Sequence, residues 1–357
     1  MKTSIGIDYH KRYSVACVMN EAGTILAEER IDHAFPERFA ELIGKHTPAQ
    51  VAFEATMNWG WLHEILEAIA GIERIVMANP LHVRLIAAAQ VKTDKVDARK
   101  LATLLRANLL PASHIPDRAT RMRKEVLRQR TFWVRERTKV RNRIHRLLGR
   151  QHGLAMPQVS DLFGKKGKAA LNKLVLAAPD DLLLRQQLEM LDCLERHIRE
   201  LDEKIALEGK GDEAVGRLSS IPGIGPILGN VIATEIDGIE RFGLSEQLSA
   251  YAGLIPTTSS SGDKTYHGRL VSGCNKWLRW ALVEAAWVAV GCDAYFGGLY
   301  RHHRSRGKKA NTAIMITARR MCQIIFCVLH EKRPYQARPW SRNVPGCSRQ
   351  RRTERVA

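Results

Sequence analysis

The 357-residue chain contains no stretch of about 18 consecutive apolar residues, and its Met1 end lacks the basic-then-apolar layout of a secretory signal. Both absences point to a soluble protein acting in the cytoplasm, with no membrane partner. Seven cysteines are scattered without any CxxC or CxxH spacing, which excludes a zinc knuckle and a disulfide framework and leaves small buried hydrophobes. Neither a GxSxG elbow nor an HExxH helix occurs, so a hydrolase triad and a zinc protease have no support. Acid is also scarce, with 37 Asp plus Glu against 56 Lys plus Arg and a formal charge of +19. That imbalance favours a polyanion, nucleic acid ahead of an anionic membrane surface.

What is present begins with short apolar runs at 4–8, 13–18 and 23–31, parted by polar turns, which predict a three-strand antiparallel meander. A helix over 36–43, a strand over 50–54, a helix over 61–69 and a strand over 74–78 follow, and Pro80 opens another helix. The order βββαβαβα demands a mixed sheet with helices packed on it, an opening shared by ribonuclease H-like nucleases and actin-like sugar kinases. Over residues 118–150 the character changes, with 13 Lys or Arg against only Glu125 and Glu136 on one predicted helix. Val126, Trp133, Val140 and Leu147 recur every seven residues, with Ile144 in the same stripe, as in a coiled-coil seam under a basic coat. Arg128, Arg135, Lys139 and Arg143 of that coat are candidate nucleic-acid contacts. A second heptad-like run at Leu191, Leu194, Ile198, Leu201 and Ile205 is expected to pair with the first, within the chain or across a dimer. Residues 214–335 read as mostly helical, and 336–357 as a disordered basic tail. The expected class is therefore α/β plus α, divided as 1–112, 113–213, 214–335 and the tail.

Asp8 ends the first strand and Glu54 ends the first strand after the meander, where functional groups of open α/β sheets gather. Asp94 and Asp97 share one face of the helix expected from the 92–102 run. Four acids on three elements can surround a pair of Mg²⁺ ions for phosphoryl transfer, since hard cations take oxygen ligands. The plainer alternatives are a helix cap at Asp94, a salt bridge from Asp97 to Arg99 or Lys100, and a surface acid at Glu54. Like charges crowded without a cation would repel, so the set itself asks for metal.

Ile221-Pro222-Gly223-Ile224-Gly225 places two glycines just before a helical run, where free backbone amides can approach a phosphate. The pattern resembles the helix-hairpin-helix that grips DNA backbone; the alternative is a tight inter-helix turn without ligand. Ser259-Ser260-Ser261-Gly262 lies in a polar segment read as a loop with helical pattern on either side. It is either a linker or the site of a serine nucleophile, with Lys264, His267 and Arg269 close in sequence.

Taken in order, Ile5-Gly6-Ile7-Asp8, Phe53-Glu54-Ala55-Thr56, Lys92-Thr93-Asp94-Lys95-Val96-Asp97-Ala98, the Gly223/Gly225 hairpin, and Gly253-Leu254-Ile255-Pro256 through Ser261-Gly262 resemble the transposases of the insertion sequence 110 group. The likeness covers about residues 1–335. It implies an N-terminal RuvC-like domain, a ribonuclease H-type mixed sheet, in which Asp8, Glu54, Asp94 and Asp97 bind Mg²⁺. It further implies a coiled coil for assembly into a dimer or tetramer and a C-terminal domain whose serine attacks DNA to give a covalent phosphoserine. The serine before the glycine maps to Ser261, with Ser260 as fallback. The resemblance also implies composite sites shared between subunits, a structured noncoding guide RNA that pairs with donor and target DNA, and strand exchange through a Holliday-junction-like intermediate, in a nucleoid-associated bacterial protein. Two departures stand out. Val271-Ser272-Gly273-Cys274-Asn275 replaces the usual Ser-Lys-Xaa-Gly-Asn, making Ser272 an outside candidate, and Thr56-Met57-Asn58-Trp59 lies where a Gly-Tyr pair is common. The rival readings are a RuvC-like structure-specific endonuclease using metal-activated water and a non-catalytic nucleic-acid-binding protein. An actin-like kinase is disfavoured by the lack of a second glycine-rich phosphate loop.

Overall fold

A computed structural model describes residues 2–86, 93–152, 157–261, 264–337 and 339. Lys92 of the acidic run, Gly262 and Asp263 after the serines, and 340–357 of the expected tail lie outside these residues. The chain divides into two compact units, Met1–Pro116 and Asp117–Ala357.

In the first unit, β1 (Thr3–Tyr9), β2 (Tyr13–Met19) and β3 (Ile25–Asp32) form the antiparallel meander. They are followed by α1 (Glu37–Gly44), β4 (Ala49–Glu54), α2 (Trp59–Glu67), β5 (Ile72–Ala78), α3 (Pro80–Ile86), α4 (Asp94–Arg106) and the two-residue β6 (Ala112–Ser113). The sheet runs β3-β2-β1-β4-β5-β6, with β4 and β5 parallel to β1 and β6 antiparallel at the edge. This mixed sheet is compatible with a RuvC-like domain. Alternation along each strand sends Ile5, Ile7, Ala16, Val18, Val51 and Phe53 to one face, under Phe39 and Leu42 of α1 and Leu62 and Leu66 of α2. Val15, Cys17 and Met19 face the other way, under Ala98 and Ala102 of α4. Each such buried Ile, Leu or Phe stabilises the unit by roughly 1.5–3 kcal/mol.

Gly6 sets how closely α4 approaches the sheet. A Cβ built on it would lie 2.2 Å from the Ala98 carbonyl oxygen and 2.4 Å from the Ala102 amide nitrogen. Hydrogen on Gly6 and methyls on α4 thus let the helix rest almost on the β1 backbone, with its N-terminal turn over the carboxyl end of the strand.

The second unit starts with two long helices, α5 (Arg118–Gly149) and α7 (Asp180–Gly209), separated by the short α6 (Lys165–Lys173). They pair within the chain and run antiparallel, as the ion pairs show: Arg130 with Asp202 at 2.7 Å, Arg141 with Glu195 at 2.8 Å, Arg150 with Asp180, and Arg123 with Asp212, just past the end of α7, at 2.9 Å. Val140, Ile144 and Leu147 bury against Leu184, Leu188, Leu191 and Leu194. The seven-residue reading needs correction in the first half of α5, where Lys124, Leu127 and Thr131 are buried while Val126 and Trp133 are only partly so. The cause is a second partner: this half also packs on α9 (Pro226–Ile236), so two neighbours choose its inward face. Trp133 lies at the edge of the seam, stacked on His197 with ring centroids 5.7 Å apart.

The remainder comprises α8 (Glu213–Ser219), α9, α10 (Ser245–Tyr251), α11 (Lys276–Cys292), α12 (Ala294–Ser305) and α13 (Ala310–His330), with one β-hairpin. Of the described helices, α13 alone has the length and apolar content of a membrane span; 56% of its apolar window is buried inside the unit, as in a core helix. The serine segment is not a loop between helices: β7 (Pro256–Ser261) pairs antiparallel with β8 (Lys264–Leu270). In the sequence the hairpin is marked only by a Gly-Asp step between the Thr- and Ser-rich run 256–261 and the Thr- and Tyr-containing run 264–270, a pattern masked by low hydrophobicity.

Candidate active site

Strand register and the low seat of α4 bring Asp8 and Asp94 together and put Glu54 and Asp97 within electrostatic reach of Asp8. Ile7 pairs with Phe53 across the parallel β1 and β4, so Asp8 and Glu54 are the next residues on adjacent strand ends. Thr93 caps α4, its hydroxyl accepting from the Val96 amide at 3.3 Å, which puts Asp94 and Asp97 in the first turn. Asp94 therefore follows the cap and is not the cap itself.

His10, which sequence reasoning missed, stands between two of these acids. Its Nε2 is 3.1 Å from Asp8 Oδ2 and 3.4 Å from Asp94 Oδ2. Among the described residues, Asp8, His10 and Asp94 form the group whose ligating atoms lie within 4.8 Å of one another. Tyr13 donates its hydroxyl to Asp94 Oδ2 at 2.9 Å, and Lys100 reaches Asp97 Oδ1 at 3.1 Å. Asp97 thus has the salt bridge foreseen as its plainer role.

Glu54 and Asp97 belong to the same electrostatic neighbourhood. Burial raises the Asp8 carboxyl above its ordinary range against the pull of His10, and Asp97 and Asp94 raise it further. Burial raises Glu54 as well, followed by the charges of Asp8 and Asp97, with Lys100 and Arg84 opposing. A site in which two carboxyls are pushed toward protonation by burial and by neighbouring acids carries more negative charge than its surroundings can solvate. Hard oxygen donors with one imidazole suit a divalent cation, so the residues present fit a metal.

The serines lie in the second unit, on an exposed hairpin. Ser259 faces Tyr266, Ser260 faces Thr265, and Ser261 faces Lys264. The Ser260 hydroxyl is 3.0 Å from that of Thr265, whereas Ser261 ends β7 on the opposite side of the strand. Arg279 anchors the base of the hairpin by donating to the carbonyls of Ala252 at 3.1 Å, Gly253 at 2.7 Å and Val271. Arg269 is on β8, and Ser272 is in the exposed turn before α11.

The two hairpin glycines have different surroundings. Gly223 adopts φ +89°, and a Cβ there would come within 2.2 Å of the Ala285 carbonyl, so its close approach is to α11. Gly225 is the N-cap of α9, with open space where a Cβ would stand. The basic coat is similarly mixed. Arg128 pairs at 3.2 Å with the buried Glu235, which also takes Lys124 and a 2.9 Å hydrogen bond from Asn275. Arg135 lies 5.5 Å over the Trp277 ring, Lys139 pairs with Glu136 at 2.7 Å, and Arg143 is exposed. A lone buried Glu235 needs these cations, so Lys124 and Arg128 have structural work beyond any ligand.

Comparison with known proteins finds transposases. Residues 5–152 match a family described as a transposase of the DEDD, IS110 type, and residues 215–301 match the Transposase IS116/IS110/IS902 family. A probable family 20 transposase of Pseudomonas aeruginosa is 28% identical over 264 residues, covering 69% of this chain and 75% of its own. The transposase for insertion sequence element IS1328 of Yersinia enterocolitica is 24% identical over 346 residues, covering 91% and 96%. That for IS1111A of Coxiella burnetii is 24% identical over 292 residues, covering 79% and 76%.

Proposed function

The chain belongs to the insertion sequence 110 group of transposases, and on that premise we propose a Mg²⁺-dependent, RNA-guided DNA recombinase that works through a serine–DNA intermediate. The observation that carries this reading is the gathering of Asp8, Glu54, Asp94 and Asp97 around one sheet end with His10 between two of them. Mg²⁺ held by these carboxylates would offset the charge that grows on a phosphate's oxygens as it reacts. His10 and Tyr13 fix the orientation of Asp8 and Asp94, and Lys100 fixes Asp97.

In this reading the Ser261 hydroxyl gives its proton to solvent as its oxygen bonds to phosphorus, the deoxyribose oxygen leaves and takes a proton from solvent to become a hydroxyl, and the phosphoserine keeps the bond energy for rejoining. Ser261 is preferred to Ser260 because the Ser260 hydroxyl already faces Thr265. Lys264, opposite the serine on β8, would meet the phosphate, with Arg269 at the base of the hairpin and Gly225, Gly223, Arg135 and Arg143 gripping backbone farther off. Residues 1–112 then act as the RuvC-like domain and 113–213 as a coiled coil for assembly into a dimer or tetramer. Residues 214–335 act as the transposase domain, α8 and α9 forming its helix-hairpin-helix, with 336–357 a basic tail. Donor and target DNA are selected by pairing with a structured noncoding RNA, since phosphate contacts alone give grip without sequence choice.

The test is a denaturing gel of protein, element RNA, DNA and Mg²⁺. An SDS-resistant protein–DNA adduct is expected, absent with EDTA and with Ser261→Ala. An adduct that survives Ser261→Ala removes this serine from the reaction, and free 5′-phosphate ends without any adduct assign the acids to water activation instead.

A further inference from the structure

Beside the acids, but on the opposite face of the sheet end, the first unit has an open pocket of about 550 Å³. We propose that it receives one unstacked DNA base from the strand being processed, held against Trp61, His33 and Tyr9 with its phosphate near Lys11. The proposal rests on the acidic centre acting on DNA.

The pocket's walls come from the end of β1 and the bend after it (Tyr9, Lys11), the residue after β3 (His33), the turn after β4 (Asn58) and the first turns of α2 (Gly60, Trp61, Glu64). Tyr9 is the residue after Asp8, and alternation turns its ring away from the acids to form the floor. Its hydroxyl donates to the Asn58 carbonyl at 3.4 Å, tying the segment after Glu54 to the end of β1. His33 stacks on Tyr9 with centroids 5.1 Å apart and planes 18° apart, and Trp61 stands 4.7 Å from His33. Nε2 of His33 meets Ser14 Oγ at 2.9 Å while the ring also bonds to the Lys11 backbone, so the imidazole is locked in place. Burial lowers its pKa, against the bond to the Lys11 backbone and the charge of Asp32.

The result is a rigid aromatic wall whose outermost ring, Trp61, remains 37% exposed. Asn58 and Glu64 offer acceptors and donors at its rim, and exposed Lys11 offers a cation. Flat heterocycles with polar edges fit such a wall: unstacked bases bind proteins by stacking on aromatic faces, and a nearby cation holds the backbone. The volume is that of a small-ligand site. Stacked duplex bases present no such face, so the pocket discriminates for a strand opened at the reacting position.

The experiment uses the full-length protein and a short single-stranded oligonucleotide containing 2-aminopurine, with the blunt duplex of the same sequence as comparison. Fluorescence quenching on binding is expected for the single strand. Trp61→Ala should abolish the quenching and weaken single-strand binding about tenfold, Trp61→Phe should restore most of both, and duplex binding should change little. Trp61→Ala protein with normal melting that binds and quenches like the parent overturns the proposal. So does a fall in oligomer mass by light scattering with unchanged strand affinity, which would assign the pocket to a second copy. Should Trp61→Ala fail to fold, Lys11→Glu at the rim carries the comparison, with a larger loss for single strand than for duplex expected and equal losses overturning it. Asp8→Asn keeps the two readings apart: it should lose cleavage and retain quenching. Cleavage by Asp8→Asn would sink the acidic-centre reading, while the Trp61 series judges the pocket.

Discussion

Asp8 and Glu54 both have raised carboxyl pKa values, and the sign of that shift gives a prediction separate from activity. A carboxyl raised in the folded state binds its proton more tightly there than in the unfolded chain, so folding loses stability as pH rises through the shifted value. Without metal the cluster therefore opposes folding at neutral pH and ceases to do so below about pH 4, where both states are protonated. Asp8→Asn or Glu54→Gln should raise the melting temperature in EDTA at pH 7 while lowering strand cleavage by roughly a thousandfold or more. Added Mg²⁺ should stabilise the parent and not the Asp8→Asn variant. Calorimetry with and without Mg²⁺ checks this; a drop in melting temperature in EDTA would mean that the carboxylates are held by hydrogen bonds instead of crowded. His10 belongs to the same scale. The alternation Asp8-Tyr9-His10 placed it on the acid side, but a lone histidine in a turn has many uses and only the distances to Asp8 and Asp94 selected this one.

Among the elements, α4 decides whether a site exists. Its four-residue spacing of Ala98 and Ala102 is complementary to the bare backbone at Gly6. Gly6→Ala would drive a methyl into main-chain atoms, an overpacking cost of about 1–3 kcal/mol, and would lift Asp94 and Asp97 from Asp8. A lower melting temperature together with weaker Mg²⁺ binding by calorimetry is expected, whereas lower stability with unchanged Mg²⁺ affinity would uncouple helix seat from site. The β7–β8 hairpin gives a parallel case. Arg279→Gln removes donors from the carbonyls that anchor it, so adduct formation with Ser261 should fall at least tenfold, by roughly 1.4 kcal/mol or more of barrier, while melting shifts less than for a core truncation. Gel quantitation beside a melting curve separates the two effects.

For the molecule as a whole, +19 charges make nucleic-acid binding an ionic exchange. Affinity should fall steeply and linearly in log–log form with salt, each phosphate contact adding about 0.9 to the slope on duplex DNA. The ion pairs of α5 refine that expectation: Arg128 and Lys139 already face Glu235 and Glu136, so Arg143→Ala should reduce the slope by about one and Arg128→Ala should instead destabilise the unit. Fluorescence titration at several salt concentrations measures the first and thermal melting the second. Equal slopes for parent and Arg143→Ala would remove that residue from the interface.

The meander, the parallel strands, the positions of Asp8, Glu54, Asp94 and Asp97 at element ends and the family were legible in local signals: strand alternation, turn residues and acids where elements begin or end. Only tertiary structure decided which atoms meet. It chose His10 as the acids' partner, set the two long helices side by side within one chain, moved the buried stripe of α5 onto Leu127 and Thr131, and made a strand of the serines. Those outcomes depend on neighbours distant along the chain: a helix face is fixed by everything packed on it, and a polar hairpin is stabilised by pairing that leaves little hydrophobic period to read.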